Sequence, residues 1–138
     1  MISWHKETVQ EIVKNLRMKY SLKYPFNLPE QKREKALYQP DIVVFDTNME
    51  VKYIIEVQTR NVRKSIAGAT ILAEICLGIM KQDLRPTLFF VVKDDSEERE
   101  LKKLGFRINK IRESLKNPYL QKVQIDRKTE FIRKIDQL

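Results

Sequence analysis

The sequence predicts one mixed α/β domain in which helices pack on a central sheet. Three patterns support this prediction: an apolar stripe with helical spacing in residues 3–20, two β-branched segments joined by a turn in residues 41–58, and a wholly apolar run from Thr87 to Val92. The chain has 138 residues, which suffices for one hydrophobic core and is too short for two domains. We therefore expect a single domain over residues 1–138.

The charge of the chain favours a polyanionic partner. It contains 27 Lys and Arg residues against 19 Asp and Glu residues, which gives a formal net charge of +8. The excess is largest at residues 1–40 and in a C-terminal extension from about residue 101, whereas residues 41–59 carry four acidic side chains and one basic one. An acidic segment between basic flanks suggests a place where cations are held while nucleic acid is bound on either side.

Composition also indicates the compartment. The single cysteine, Cys76, cannot form an internal disulfide, which favours a reducing environment. Residues 5–7 are charged and no apolar run follows them, which excludes a secretory signal, and the most apolar stretch is interrupted by Glu74 and too short to span a bilayer. We expect a soluble, intracellular protein of the cytoplasm without a membrane partner.

The first half of the chain predicts a helix followed by a hairpin. Residues 3–20 form the helix, and its apolar stripe consists of Val9, Ile12, Val13, Leu16 and Tyr20. Residues 21–40 contain three prolines and are predicted to be a loop or a short edge strand. Asp41 to Asp46 and Val51 to Gln58 are predicted strands, and the turn at residues 47–50 joins them.

The second half alternates helices and strands. A helix is predicted from Val62 to Lys81, with small residues on the side that faces the sheet, and a central strand from Thr87 to Val92. Asp95 and Glu98 have the spacing of a capping box that opens another helix, which Gly105 is expected to end. The remaining predicted elements are a strand at Phe106–Asn109, a helix, a strand near Val123–Ile125, and a terminal helix containing Phe131, Ile132 and Ile135.

The strand period of two places carboxylates together. On the second hairpin strand, Lys52, Ile54, Glu56 and Gln58 are predicted to share one face. If the hairpin closes at its turn, Asp41 on the first strand lies near Glu56 and Gln58. Carboxylate and amide oxygens are ligands that Mg²⁺ prefers, and a carboxylate pair without a cation repels itself and shifts its pKa. The pattern therefore predicts a cation site.

These residues carry a resemblance to a known family. Pro40–Asp41 and Glu56–Val57–Gln58, on a hairpin between two helices, resemble the PD-(D/E)xK nuclease superfamily, which includes type II restriction enzymes and archaeal Holliday-junction resolvases. The resemblance covers about residues 3–92 and implies a restriction-endonuclease-like core with the order α-β-β-α-β. It implies that Asp41 and Glu56, with the backbone carbonyl of Val57, bind Mg²⁺ (or Mn²⁺), and that the protein hydrolyses phosphodiester bonds in DNA.

The chain departs from the family pattern at one catalytic position. Gln58 stands where the family usually has a lysine that orients the attacking water and stabilises charge on the phosphate. A few restriction enzymes with Gln at this position are active. Arg60, Arg63 and Lys64 are candidates for the missing positive charge and for contact with nucleic acid.

Many members of the family take a further acidic ligand from the first helix. Glu7 and Glu11 are the candidates here, although both lie roughly opposite the apolar stripe, where they would face solvent. His5 lies nearer the stripe and is a further candidate to approach the site.

The basic C-terminal region is predicted to contact the phosphate backbone, with Lys110 and Arg112 among its residues. One active site cuts one strand, so cleavage of a duplex favours a homodimer with twofold symmetry. The apolar positions of the terminal helix are a candidate interface.

Three other interpretations remain open. Val44 to Asn48 resembles the first motif of PIN-domain ribonucleases, but about 40 residues precede it and a strand follows it, which favours turn chemistry. Alternatively, Asp41 caps a strand after Pro40, while Glu56 and Gln58 are polar residues at a strand edge that pair with Arg60 or Lys52. The last interpretation keeps the nuclease fold without catalysis, as a module that binds nucleic acid or bridges subunits.

Overall fold

The chain folds into a five-stranded sheet with helices on both faces. The computed structural model describes residues 2–30, 33–59 and 63–138. The strands are β1 (Ser21–Lys23), β2 (Ile42–Phe45), β3 (Val51–Val57), β4 (Thr87–Val92) and β5 (Lys122–Arg127). The helices are α1 (Trp4–Leu16), α2 (Arg63–Met80), α3 (Glu98–Glu113) and α4 (Lys128–Lys134), with short 3₁₀ helices at Arg33–Lys35 and Ile135–Gln137.

The sheet is mixed, and its strands lie in chain order from β1 to β5. β1, β2 and β3 pair antiparallel, whereas β3, β4 and β5 pair parallel. The carboxyl ends of β3, β4 and β5 therefore meet at one edge of the sheet, which we call the carboxyl edge. Because β2 runs against β3, its first residue lies at the same edge, and Ile42 pairs with Ile55.

Two hydrophobic cores fix the sheet between the helices. On one face, α2 and α3 pack against residues that include Ile54, Leu88 and Phe90. On the other face, α1 and α4 pack against residues that include Ile55 and Phe89. Alternate residues of β4 enter opposite cores, so all six are buried. The prediction of a central strand covered on both sides is confirmed.

The general architecture follows the sequence prediction. The α/β class, the hairpin, the long helix after it and the central strand are all present. β1 lies within the segment predicted to contain a loop or a short edge strand. α2 matches the predicted helix to within one residue at its C-terminal end, and the predicted first residue, Val62, lies outside the described residues.

The predicted end of α3 is wrong. Gly105 lies inside this helix, which continues through residues 106–109 where a strand was expected. An apolar stripe that packs on β5 explains the continuation, since its burial outweighs the cost of about 1 kcal/mol for an interior glycine. The stripe consists of Leu101, Leu104 and Ile108. The capping box is also absent, because the N-cap residue is Glu97 and its side chain makes no capping bond.

The terminal helix is present but faces inward. Phe131 and Ile135 are buried in the core shared with α1, so they do not supply the interface suggested by the sequence.

No helix of the described residues has both the length and the apolar character needed to cross a membrane.

A β-bulge changes the position of Lys52. The register of the hairpin shifts between Val44 and Phe45, which leaves Lys52 without a direct partner on β2. The Lys52 Nζ atom lies 5.1 Å from the Tyr20 ring centroid and 5.4 Å from that of Tyr53, and both rings pack on the α1 side of the sheet. Lys52 therefore does not share a face with Glu56, and that prediction is wrong.

Candidate functional site

The structure brings Asp41 and Glu56 together at the carboxyl edge. The Asp41 N–H donates to Glu56 Oε1 at 2.9 Å, and the Val57 N–H donates to Asp41 Oδ2 at 2.8 Å. The pairing of Ile42 with Ile55 makes these bonds possible, because it sets residue 41 beside residue 56. Each carboxylate is thus oriented by the backbone of the opposite strand, and the predicted closure of the hairpin is confirmed.

Glu56 is held in a place that disfavours its charge. Burial raises the pKa of this carboxyl to about 8, and the neighbouring Asp41 charge acts in the same direction. The hydrogen bond from the Asp41 backbone opposes these effects without cancelling them. At neutral pH, Glu56 is therefore mostly protonated unless a cation compensates its charge.

Two further side chains surround the carboxylate pair. His5 Nε2, on α1, lies 3.1 Å from Asp41 Oδ1. Tyr38 is buried beside Glu56, and its pKa is raised well above the ordinary value by burial and then by the charges of Glu56 and Asp41. The charges of both carboxylates act on the Tyr38 hydroxyl. This hydroxyl nevertheless makes no hydrogen bond of regular geometry with the described residues.

The sequence did not indicate Tyr38. It lies in the proline-containing segment before β2, where no periodicity is visible. An isolated bridge holds this segment in place: the Leu28 N–H donates to the Tyr38 carbonyl at 2.7 Å, and the Tyr38 N–H donates back at 3.1 Å. Such a contact between two irregular segments leaves no pattern in the sequence.

Gln58 follows the end of β3, two residues after Glu56. Its N–H donates to the Val91 carbonyl at 2.8 Å, which extends the parallel pairing beyond the strand and fixes the backbone there. The side chain is partly buried. Gln58 is neutral, so it contributes a donor and an acceptor to this edge but no positive charge.

The acidic residues of α1 do not join the pair. Glu11 Oε2 lies 3.0 Å from Lys128 Nζ, so this carboxylate ties α1 to α4. Glu7 is exposed. Within residues 2–30, 33–59 and 63–138, no group of three or more Asp, Glu, His or Cys side chains is placed to hold a metal ion. The ligand role suggested for Glu7 and Glu11 is therefore not supported by the geometry.

The remaining site suits a single hard cation. Asp41 and Glu56 present carboxylate oxygens, and Mg²⁺ is commonly held by one or two carboxylates with water completing its shell. A divalent cation would also remove the conflict at Glu56, because it favours the charged form of a carboxyl that burial otherwise protonates. The donor set thus fits Mg²⁺ or Mn²⁺, with the Val57 backbone beside it.

The predicted basic contacts have different outcomes. Arg63 and Lys64 are exposed at the start of α2, and Lys110 is exposed on α3. Arg60 lies outside the described residues. Arg112 is buried, and its NH1 group donates to the Leu120 carbonyl at 2.8 Å, so its predicted contact with nucleic acid is wrong.

Lys93 is a basic residue at the carboxyl edge that the sequence analysis did not single out. It directly follows β4, the strand next to β3, and its Nζ atom lies 5.6 Å from the ring centroid of Trp4 on α1. Its position after a buried strand was the available signal, since ligands of open sheets with parallel strands bind beyond the strand carboxyl ends.

Comparison with protein-family models, with curated proteins and with solved structures gives no match for this chain. Its chemistry is therefore inferred from its own residues. The described part of the site consists of two neighbouring carboxyl groups at the carboxyl edge, with His5 beside Asp41 and with the exposed Arg63 and Lys64 at the start of the next helix.

We expect the stability of the metal-free protein to fall relative to a Glu56→Gln variant as the pH rises. The pKa of Glu56 is raised from 4.5 to about 8 in the folded state, so the folded protein keeps a proton that the unfolded chain loses. The resulting stabilisation is complete below about pH 4.5 and lost as the pH passes about 8. Thermal unfolding in EDTA across this window measures the effect.

Glu113→Gln, at an exposed position on α3, is the matched control and should show no such trend. A melting-temperature difference between wild type and Glu56→Gln that stays constant with pH would show that Glu56 ionises normally.

Proposed function

We propose that the protein is a metal-dependent nuclease that hydrolyses phosphodiester bonds in DNA, with Asp41 and Glu56 as the ligands of Mg²⁺ or Mn²⁺. The observation that carries the proposal is the pair of carboxylates that orient each other through the strand backbone; one of them, Glu56, is partly buried and has a raised pKa, and it forms no ion pair with any described residue. The formal net charge of +8 supports a polyanionic substrate.

The order of elements supports membership of the PD-(D/E)xK superfamily. α1, β2, β3, α2 and β4 follow one another as helix, hairpin, helix and strand, and the carboxylates lie at the open end of the hairpin. A restriction-endonuclease-like core is compatible with this arrangement, and it remains part of the proposal.

Each residue of the site has a definite task in this proposal. When bound, the cation lowers the pKa of a water molecule and neutralises charge on the phosphate. Asp41 and Glu56 hold it, and Glu56 gives up its proton to do so. The Val57 N–H and His5 fix the orientation of Asp41, so the ligands need little rearrangement.

The positive charge that Gln58 lacks must come from elsewhere. Lys93 follows the adjacent strand at the same edge, and Arg63 and Lys64 begin the helix that follows β3. We assign phosphate binding to these cations, while the Gln58 amide is left to orient water through hydrogen bonds.

A second candidate function is a nuclease-like module that binds nucleic acid or bridges subunits without cutting. The neutral Gln58 favours it. Cleavage in the presence of a divalent metal distinguishes the two functions.

We expect Mn²⁺- or Mg²⁺-dependent cleavage of DNA that Glu56→Ala lowers by at least about 100-fold, because the cation loses one of its two carboxylates. Gel assays with duplex, single-stranded and branched oligonucleotides measure it. Glu113→Ala is the control with an equal change of charge and should cut like wild type. DNA binding without cleavage under either metal would contradict the nuclease and favour the binding module.

The homodimer also remains a proposal, and α2 offers the surface for it. Between Lys64 and Lys81 the only charged residue is Glu74, which is buried and accepts hydrogen bonds from the Tyr119 and Leu120 N–H groups. The outward side of the helix is apolar and consists of Ile71, Leu72, Ile75 and Ile79. A twofold axis across α2 would pack this side against its copy, with the charged ends of the helices outside the contact.

We expect Ile75→Glu to convert a dimer into a monomer, because two like charges would then meet near the axis. Sedimentation velocity over a range of concentrations measures this change. Ile111→Glu alters a similarly exposed isoleucine on α3 and should leave the dimer intact. A wild-type protein that is monomeric at every concentration would contradict the proposal.

A further inference from the structure

The outer face of α3 carries an exposed aromatic ring among basic side chains. Phe106 is 65% exposed, more than any other aromatic side chain in the described part of the chain. Lys102 and Lys110 lie one helical turn to either side of it, and Lys103 and Arg107 form the adjacent row. We call these five residues the α3 patch.

The positive charge of the α3 patch is only partly neutralised. Lys102 pairs with Glu98 at 3.4 Å, and Lys103 contacts Glu100 at 4.0 Å. Arg107 and Lys110 form no ion pair with any described residue, and Lys110 Nζ lies 5.5 Å from the Phe106 ring centroid. Exposed ion pairs of this kind contribute little to stability, and an anionic ligand can replace the carboxylate in them. The patch therefore attracts anions.

The patch extends towards the carboxyl edge through α2. Arg63 lines a hollow of about 130 Å³ together with Lys103 and Arg107, and the acidic Glu100 also lines it. Arg63 is the first residue of α2, the helix that follows the strand bearing Glu56. The first turn of α3 is acidic at Glu98 and Glu100. The α3 patch and the start of α2 therefore border one hollow, with Arg63 on the α2 side of it.

An exposed ring flanked by cations is suited to a strand of nucleic acid. Bases stack on aromatic side chains while basic groups hold the phosphates. A base can stack in this way only when it is unpaired, because a duplex covers the faces of its bases. Lys102 and Lys110 are eight residues apart, about 12 Å along the helix, which suits a contact of a few nucleotides.

We propose that the α3 patch binds an unpaired segment of nucleic acid, with one base stacked on Phe106 and the flanking phosphates held by Arg107 and Lys110. This inference rests on the proposed function for its biological role, since it assigns the substrate an unpaired segment next to the cleaved bond. Its binding chemistry depends only on the α3 patch.

The test compares the affinity of the 138-residue chain for a 12-nucleotide thymidine strand and for a 12-base-pair duplex, by fluorescence anisotropy in EDTA. We expect Phe106→Ala to weaken binding of the single strand about tenfold and binding of the duplex less than twofold. Phe106→Trp should retain single-strand binding, with quenching of the new indole. Arg107→Ala should weaken the binding of both ligands. It should also lower the slope of log affinity against log salt concentration by about one released counterion.

Ile111→Ala is the matched control, because Ile111 is 53% exposed on the same helix but lies beyond the patch. It should bind both ligands like wild type. Equal affinity of Phe106→Ala and wild type for the single strand would overturn the inference. A second result would also overturn it: polyglutamate binds wild type as tightly as the single strand does, and Phe106→Ala weakens both by the same factor. That result would indicate an acidic peptide as the ligand.

The outcomes separate this inference from the nuclease proposal. If wild type cuts DNA and Phe106→Ala binds the single strand normally, the nuclease stands and the α3 patch has another role. If no DNA is cut under any divalent metal but Phe106→Ala loses single-strand binding, the patch stands and catalysis does not.

Discussion

Two hydrogen bonds at the open end of the hairpin determine the geometry of the candidate site. The Asp41 N–H donates to Glu56, and the Val57 N–H donates to Asp41, so each carboxylate is fixed by the opposite strand. Hydrogen bonds within a protein contribute about 0.5–1.5 kcal/mol each, and removal of one partner leaves the other with the larger cost of an unpaired polar group. This pairing orients both carboxylates before any ligand binds. His5 and Tyr38 lie beside the pair, His5 at Asp41 and Tyr38 at Glu56.

The same pairing creates an electrostatic conflict that either a proton or a cation resolves. Burial and the Asp41 charge raise the pKa of Glu56 to about 8, so this carboxyl keeps a proton at neutral pH when no cation is bound. In the proposed function, a divalent cation would replace that proton at the cost of the protonation free energy, so metal affinity would depend on pH. The pH dependence of stability is thus linked to one carboxyl group, and in the proposed function metal binding would be linked to the same group. The parallel strands contribute by bringing Gln58 and Lys93 to the same edge.

Sequence periodicity was sufficient where one strand or helix alone determines the outcome. The alternation along β3 and the turn before it placed Asp41 beside Glu56 correctly. It failed for Lys52, because a bulge shifts the register by one residue, and for Gly105, because burial on β5 outweighs helix propensity. Arg112 is buried and donates a hydrogen bond to the Leu120 carbonyl. This contact joins a helix to a later loop, so no local sequence pattern predicts it.

Calorimetric titration of the protein with Mn²⁺ at about pH 6.5, in two buffers of different ionisation enthalpy, tests the central claim most directly. The account predicts that binding releases about one proton, that the release vanishes well above pH 8, and that Glu56→Gln abolishes it. Binding of Mn²⁺ without proton release, or equal binding by wild type and Glu56→Gln, would contradict the account.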